Sequence, residues 1–290
     1  MAGGSAAALA LLRSFSPAEA AAIDAAPRPF ASPPPRPLLA ARRRRALASL
    51  LVTGCGRSGT HALAALLRRH GVRAQHEGRG ADATVGWPYA GRVAGSWRAL
   101  WPMAAQPSSF EAYEPIFKLH RHPLAAVGAV AAGLTTSGRC RNPSERRWDA
   151  RAWRCASAFV DLPVAAVAVS RGGTCDLPAE ARLRLALHYW VKWNLLADRW
   201  AARGFAVESL SVAQFAREWC DHCEKAATCG CPPAALAAAR NSTEEKVRAR
   251  RHGRKRPPIE WSTLDRLDRN MSAVAQRMAL AYGYALVVPS

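Results

Sequence analysis

Ten residues constrain this chain more than any others: Val52-Thr53-Gly54-Cys55-Gly56-Arg57-Ser58-Gly59-Thr60-His61. The apolar run Leu50, Leu51, Val52 leads into them, and Leu63, Leu66 and Leu67 follow along one face of a helical pattern. That order reads as a buried strand, a glycine-rich turn and a helix start. Such a turn aims several backbone N–H groups, and the positive end of the helix dipole, at one point in space. A phosphate or sulfate suits that point. Gly54, Gly56 and Gly59 are expected to let the backbone approach the anion with no Cβ in the way.

The loop of metal-dependent nucleotide hydrolysis has the form G-x-x-x-x-G-K-[ST]. Gly54 and Gly59 keep its spacing, but Thr60 stands at the lysine position and His61 at that of the magnesium-holding hydroxyl. Transfer from a nucleoside triphosphate therefore lacks two of its usual parts. The cation sits inside the loop instead, as Arg57. An arginine within a strand–turn–helix nest needs an anionic partner; the plain alternative is a glycine turn without a ligand.

Arg57-Ser58-Gly59-Thr60 in this setting resembles the 5′-phosphosulfate loop of sulfotransferases that use 3′-phosphoadenylyl sulfate (PAPS). The resemblance implies that Gly54, Gly56, Arg57, Ser58, Gly59, Thr60 and His61 hold the nucleotide as co-substrate, without metal, and that Arg57 also acts in catalysis. A second match lies further on. Pro115 to His120 reads as a strand that ends in Arg121-His122-Pro123, with Pro123 opening the next helix. In the family a strand ends in Arg-x-Pro and a serine follows eight residues after the arginine, both contacting the 3′-phosphate. Arg121 and Pro123 match, whereas the serine position is Ala129. That departure removes one hydroxyl donor, typically worth ~0.5–1.5 kcal/mol.

Sulfuryl transfer also needs a base for the proton of the attacking hydroxyl. Carbohydrate-acting members of the family resemble this chain at His76-Glu77, which follows the first helix and precedes Gly80, Asp82 and Trp87 in the family's order. The resemblance makes Glu77 the candidate base and His76 its competitor; an ordinary polar loop is the plain reading. Trp190-Val191-Lys192-Trp193-Asn194 resembles the family's aromatic-x-x-aromatic-Asn helix, and Phe205 to Leu210 its following strand and helix start. Core packing accounts for the tryptophans, while Asn194 in an apolar stripe must find a partner. Late in the chain, Arg250-Arg251-His252-Gly253-Arg254-Lys255 stands where the family folds a basic loop over the 3′-phosphate. That implies nucleotide contacts from Arg251, Gly253 and Arg254; a solvated basic loop or a nuclear-localisation-like run is the alternative.

Composition narrows the partners. The net charge of +20 over 290 residues, carried mainly by arginine, has a bland reading, a GC-rich genome, and a functional one, an acidic partner: an anionic lipid surface, a polyanionic substrate and nucleotide, or nucleic acid, the least favoured of these. Residues 1 to about 45, rich in alanine, proline and arginine, read as a transit- or signal-like leader or a disordered tail outside the fold. No segment reaches the ~18–20 apolar residues that span a bilayer. Eight cysteines are many for a reducing compartment. Cys55 in the loop is expected to be free, and Cys220 to Cys231 to form a cysteine-rich loop. Disulfides in an oxidising lumen are the preferred reading of that loop, with a zinc knuckle as the alternative. Two glycosylation sequons, at Asn241 and Asn270, lean the same way.

The remaining elements are read from apolar spacing. Strands are expected at Leu47–Thr53, Val72–Gln75, Pro115–His120 and Phe205–Glu208. Helices are expected at His61–His70, Leu124–Ala132, Ala179–Ala202 stopped by Gly204, Leu210–Trp219 and Trp261–Tyr282. Residues 78–110 read as loops with a short helix near Trp97, and residues 135–178 as irregular. Alternating strands and helices argue an α/β fold with a mainly parallel sheet over residues 46–290. The resemblance implies more: a three-layer, P-loop-like nucleotide-binding fold whose ligand lies at the carboxyl ends of the strands. The expected function is sulfuryl transfer from PAPS to an acceptor hydroxyl on a carbohydrate, in the Golgi lumen or secretory pathway, with a plastid as the alternative. Competing readings are a non-catalytic, arginine-rich binding protein for a phosphorylated ligand or nucleic acid, and a small-molecule kinase with a degenerate loop.

Overall fold

The computed structural model describes residues 50–77, 80–86, 113–136, 177–226, 229–241, 245–247 and 259–286. The leader, the helix expected near Trp97, Trp87 and the basic residues Arg251, Gly253 and Arg254 lie outside them. Five strands form one sheet: β1 (Leu50–Gly54), β2 (Ala74–His76), β3 (Ala83–Val85), β4 (Ile116–His120) and β5 (Arg203–Ala206). Their order is β2-β3-β1-β4-β5, and every pairing is parallel. A parallel sheet is covered on both faces, so its inner strands read as continuous buried runs. β1, β3 and β4 are buried at every position.

The register sorts the strand residues onto two faces. Leu51 pairs with Thr84 and Ile116, and Thr53 with Lys118, on one face. Val52 pairs with Val85 and Phe117 on the other. The second face packs on α1 (Thr60–Arg69), α4 (Val212–Ala226) and α5 (Pro233–Asn241), through Leu63, Leu67, Phe215, Trp219 and Ala235. The first packs on α2 (Pro123–Thr136), α3 (Ala179–Trp200), α6 (Trp261–Leu267) and α7 (Arg269–Ala281), through Val127, Leu187, Trp190, Leu264 and Met278. The sheet therefore lies between two helical layers. α3 is buried from Leu185 to Ala197, on all sides. It is a central helix, and Trp190 and Trp193, both fully buried, belong to the core. Asn194 finds its expected partner locally, donating from Nδ2 to the Trp190 carbonyl at 2.7 Å.

Several elements differ from the sequence reading. β3 falls within the stretch read as loop. Only residues 77–82 separate β2 from β3, fewer than the roughly dozen residues a parallel crossover normally takes. Gly80 makes the return fit: a Cβ there would collide with the backbone carbonyls of Arg73 and Ala83. Asp82 locks it, accepting from the Arg73 amide at 2.8 Å and from its guanidinium at 2.8 Å. The side-chain bond from Arg73 holds the Asp82 carboxyl below its usual range.

The long helix ends at Trp200, two residues before Ala202, and Gly204 does not stop it. Ala201 turns extended, Ala202 donates to the Ile116 carbonyl at 2.8 Å, and Gly204 already belongs to β5. The last helix is two. Asp268 leaves helical geometry (φ −162°, ψ 94°) and its carboxylate accepts from the Met271 amide at 3.0 Å, capping α7. The cysteine loop is partly helical: Cys220 and Cys223 lie on the last turns of α4. α5 follows, opened by Pro233 at its first position.

The cysteines are paired as Cys220–Cys231 and Cys223–Cys229, with Cα–Cα distances of 4.8 and 4.9 Å, inside the range disulfides require. They staple the end of α4 to the start of α5. Cys55 is free and buried, and burial pushes its thiol up to about 12. The Asn270 sequon lies in the first turn of α7, with Met271 and Ser272 fully buried, rather than in the surface loop that glycosylation suits. No helix among the described residues is long and apolar enough to cross a membrane.

Candidate anion site at the carboxyl edge of the sheet

β1 lies between β3 and β4, and the chain leaves β1 toward one side of the sheet before crossing to the other. The carboxyl end of β1 is thus the point where strand order reverses, which is where open parallel sheets bind ligands. The glycine-rich loop begins there, at Cys55, and runs into α1 at Thr60.

Inside the loop, Ser58 is fully buried. Its amide and its hydroxyl both donate to the Cys55 carbonyl, at 3.1 and 2.6 Å. The Gly56 amide donates to the Tyr189 hydroxyl of α3 at 3.1 Å. Two of the expected donors therefore serve the shape of the loop. Two of the glycines also make room for the protein itself. A Cβ on Gly54 would collide with the Ser58 hydroxyl and, at 2.6 Å, with the Leu119 carbonyl; one on Gly59 would collide with Val207. What these two glycines admit is neighbouring protein. Gly59 adds a backbone requirement, with φ +90°. Gly56 has ordinary room. Arg57 holds φ 68°, an uncommon conformation for a side-chain-bearing residue.

α1 starts without a side-chain cap and without an acid in its first turn. The first amides of any helix lack intrahelical partners, and here nothing negative from the first turn offsets the dipole. Thr60 is the first helical residue, and His61 beside it is exposed. From β4, Arg121 reaches the same loop: its Nη1 donates to the Arg57 carbonyl at 3.4 Å. From β2, His76 reaches it as well, with Nε2 3.1 Å from the Thr60 hydroxyl. The His61 and His76 rings meet edge to face, centroids 5.1 Å apart. Burial, then His61 and Arg68, lower the His76 pKa to about 4, so the ring is neutral at neutral pH. Glu77 follows directly, with φ 54° and its amide donating to the Val85 carbonyl at 3.0 Å. Gly86, at φ +147°, passes so close that a Cβ on it would lie 3.2 Å from Glu77 Cγ.

The structure thus gathers Arg57, Thr60, His61, His76 and Arg121 around one loop, and Glu77 is next to His76. Ala129, which stands at the expected serine position, lies on α2. Arg251, Gly253 and Arg254 lie outside the described residues; the flanking Val247 is buried, and its amide donates to the Leu210 carbonyl at 2.8 Å.

A second cluster at the end of β4 was not anticipated. The Tyr284 hydroxyl donates to Glu208 Oε2 at 2.8 Å and sits 3.1 Å from His120 Nδ1. Glu208 Oε1 accepts from the His122 amide at 3.0 Å. The Tyr282 ring stacks on His120 with centroids 4.5 Å apart, and its hydroxyl bonds Asp198, which also pairs with the buried Lys118. Lys118 Nζ lies 3.9 Å over the Tyr282 ring. Burial lowers the lysine's pKa, with Asp198 opposing. These contacts pin the segment just after α7 over the strand that delivers Arg121.

No protein-family model, curated protein or solved structure matches this chain.

Proposed function

We propose that this chain is a PAPS-dependent sulfotransferase that sulfates a hydroxyl, on a carbohydrate in the reading we favour. The observation that carries it is Arg57 set inside a strand–turn–helix loop at the reversal point of the sheet, with Arg121 arriving at that loop from the neighbouring strand. The residues fit a phosphosulfate: an uncapped helix start without acids, the Thr60 hydroxyl, and two guanidinium groups.

In this reading Arg57, Thr60 and the first amides of α1 hold the 5′-phosphosulfate, and Arg57 stabilises the charge that grows on the bridging phosphate oxygen. Ser58 and Gly56 hold the loop in shape through Cys55 and Tyr189. Arg121 takes the 3′-phosphate, joined by Arg251, Gly253 and Arg254. Glu77 removes the proton as the acceptor oxygen bonds to sulfur; the bond from sulfur to the phosphate oxygen breaks, giving a sulfate ester and 3′-phosphoadenosine 5′-phosphate. The unusual backbone at Glu77 supports a placed side chain, since non-glycine residues at positive φ persist where surroundings hold them. A kinase reading is weaker, because Thr60 and His61 replace the lysine and the metal-holding hydroxyl.

The two disulfides fit an oxidising compartment, such as the Golgi lumen or elsewhere in the secretory pathway. Isothermal calorimetry with 3′-phosphoadenosine 5′-phosphate in EDTA tests the nucleotide half of the proposal. Transfer of labelled sulfate from PAPS to carbohydrate acceptors tests the other half.

A further inference from the structure

The Thr60–His76 pair joins the first residue of α1 to the last residue of β2, two elements the sheet holds in fixed relation. A neutral imidazole carries one proton, so its Nε2 either donates to the Thr60 oxygen or accepts the Thr60 proton. The two choices differ for an anion in front of the helix. If Nε2 accepts, the Thr60 hydroxyl proton is directed at His76 and only oxygen lone pairs are left for the ligand. If Nε2 donates, the oxygen is satisfied by His76 and its own proton turns outward.

Resting on the reading above, we propose that His76 is a positioning residue: in its Nε2–H tautomer it donates to Thr60 Oγ1 and so directs the Thr60 hydroxyl proton at the bound 5′-phosphate oxygen. The geometry pairs the two side chains, and the tautomer is the part the proposal assigns. The 3.1 Å contact is of hydrogen-bond length, and Thr60 occupies the helix position where an anion is best stabilised. The His61 edge at 5.1 Å and the partial burial of the ring limit its other orientations. The low pKa fits as well, since a ring neutral down to about pH 4 keeps the donor–acceptor distinction across the working range. Nδ1 is then the unprotonated nitrogen. The role differs from general-base catalysis, because the proton on Nε2 stays where it is.

Two measurements test it on the full chain. The first is the ¹⁵N spectrum of imidazole-labelled protein, with and without 3′-phosphoadenosine 5′-phosphate, and with inorganic sulfate as a second probe. His76 should show the Nε2–H pattern in the nucleotide complex, and Thr60→Val should remove the dependence on ligand. The second compares His76→Leu with His76→Gln. Glutamine can place an amide N–H near the position of Nε2, so it should recover most of the nucleotide affinity that leucine loses, a loss of about tenfold. Thermal unfolding of both variants separates a binding loss from a folding loss. If the nucleotide binds and His76 is Nδ1–H, or glutamine is as weak as leucine in a folded protein, the positioning role is wrong while the sulfotransferase reading stands. If folded wild-type protein binds no nucleotide at all, that reading fails and takes this role with it.

Discussion

Arg121 Nη1 donates to the carbonyl of Arg57 at 3.4 Å, so the end of β4 is tied to the middle of the glycine-rich loop. Two roles follow for Arg121, and they make different predictions. As a 3′-phosphate ligand, its loss weakens 3′-phosphoadenosine 5′-phosphate selectively. As a brace for the loop, its loss weakens every 5′-phosphate alike. We expect Arg121→Ala to reduce affinity for the 3′,5′-bisphosphate by at least about tenfold and to leave adenosine 5′-monophosphate within about threefold. Calorimetry with the two nucleotides decides it; equal losses assign Arg121 to the loop alone.

Glu77→Gln is expected to lower single-turnover sulfate transfer by ~10²–10⁴ while leaving nucleotide affinity close to wild type. Glutamine keeps the size and hydrogen bonding of the side chain but cannot take the proton. His76→Gln should retain turnover well above the Glu77 variant, because glutamine preserves donation to Thr60. If Glu77→Gln stays within about threefold of wild type and His76→Gln is inactive, the base is His76.

Stability should fall with pH in a window set by buried histidines. Burial holds His120 at about 3 and His76 at about 4, and also lowers His188. The unfolded chain protonates these rings near 6.5, so between ~6.5 and ~4 it binds more protons than the folded chain. Stability is therefore complete above about 6.5 and is lost as pH falls toward the folded values. Urea unfolding at pH 7, 6, 5 and 4.5 should show a loss on the order of a few kcal/mol, and His120→Gln should flatten the slope. A flat profile above pH 4.5 would contradict the placement of these rings.

Protein from an oxidising compartment should carry the Cys220–Cys231 and Cys223–Cys229 bonds and no zinc at these thiols. Peptide mapping before and after reduction, with metal analysis, checks this. Chain-entropy arguments for bridges closing such short loops give about 2–3 kcal/mol each, so Cys220→Ala with Cys231→Ala should lower the thermal midpoint by several degrees. About one zinc per chain, with all these thiols free, would overturn the pairing.

The sequence made the loop legible because strand, turn and helix follow one another within some twenty residues, so local spacing carries the whole signal. Arg121 was legible for the same reason, at the end of an apolar run closed by Pro123. β3 was not: Ala83-Thr84-Val85 is too short for a period, and its strand character comes from pairing with both β1 and β2. The break at Asp268 had a local sign, an acid three residues before Met271, but apolar spacing running on through Leu267, Met271 and Val274 hid it. Nothing local announces that Tyr284 reaches His120 across 164 residues, or that Ser58 turns inward to the Cys55 carbonyl. Those contacts are set by how the sheet edge closes, and they turn Ser58 into the loop.

The central claim is that Arg57 and the start of α1 form a metal-independent site for a phosphosulfate nucleotide. Isothermal calorimetry in EDTA, with 3′-phosphoadenosine 5′-phosphate titrated into wild type and Arg57→Ala, tests it most directly. Saturable one-to-one binding to wild type, weakened by about tenfold or more in a folded Arg57→Ala, is the predicted result. Binding seen only with ATP and Mg²⁺, or affinity unchanged in Arg57→Ala, would contradict it.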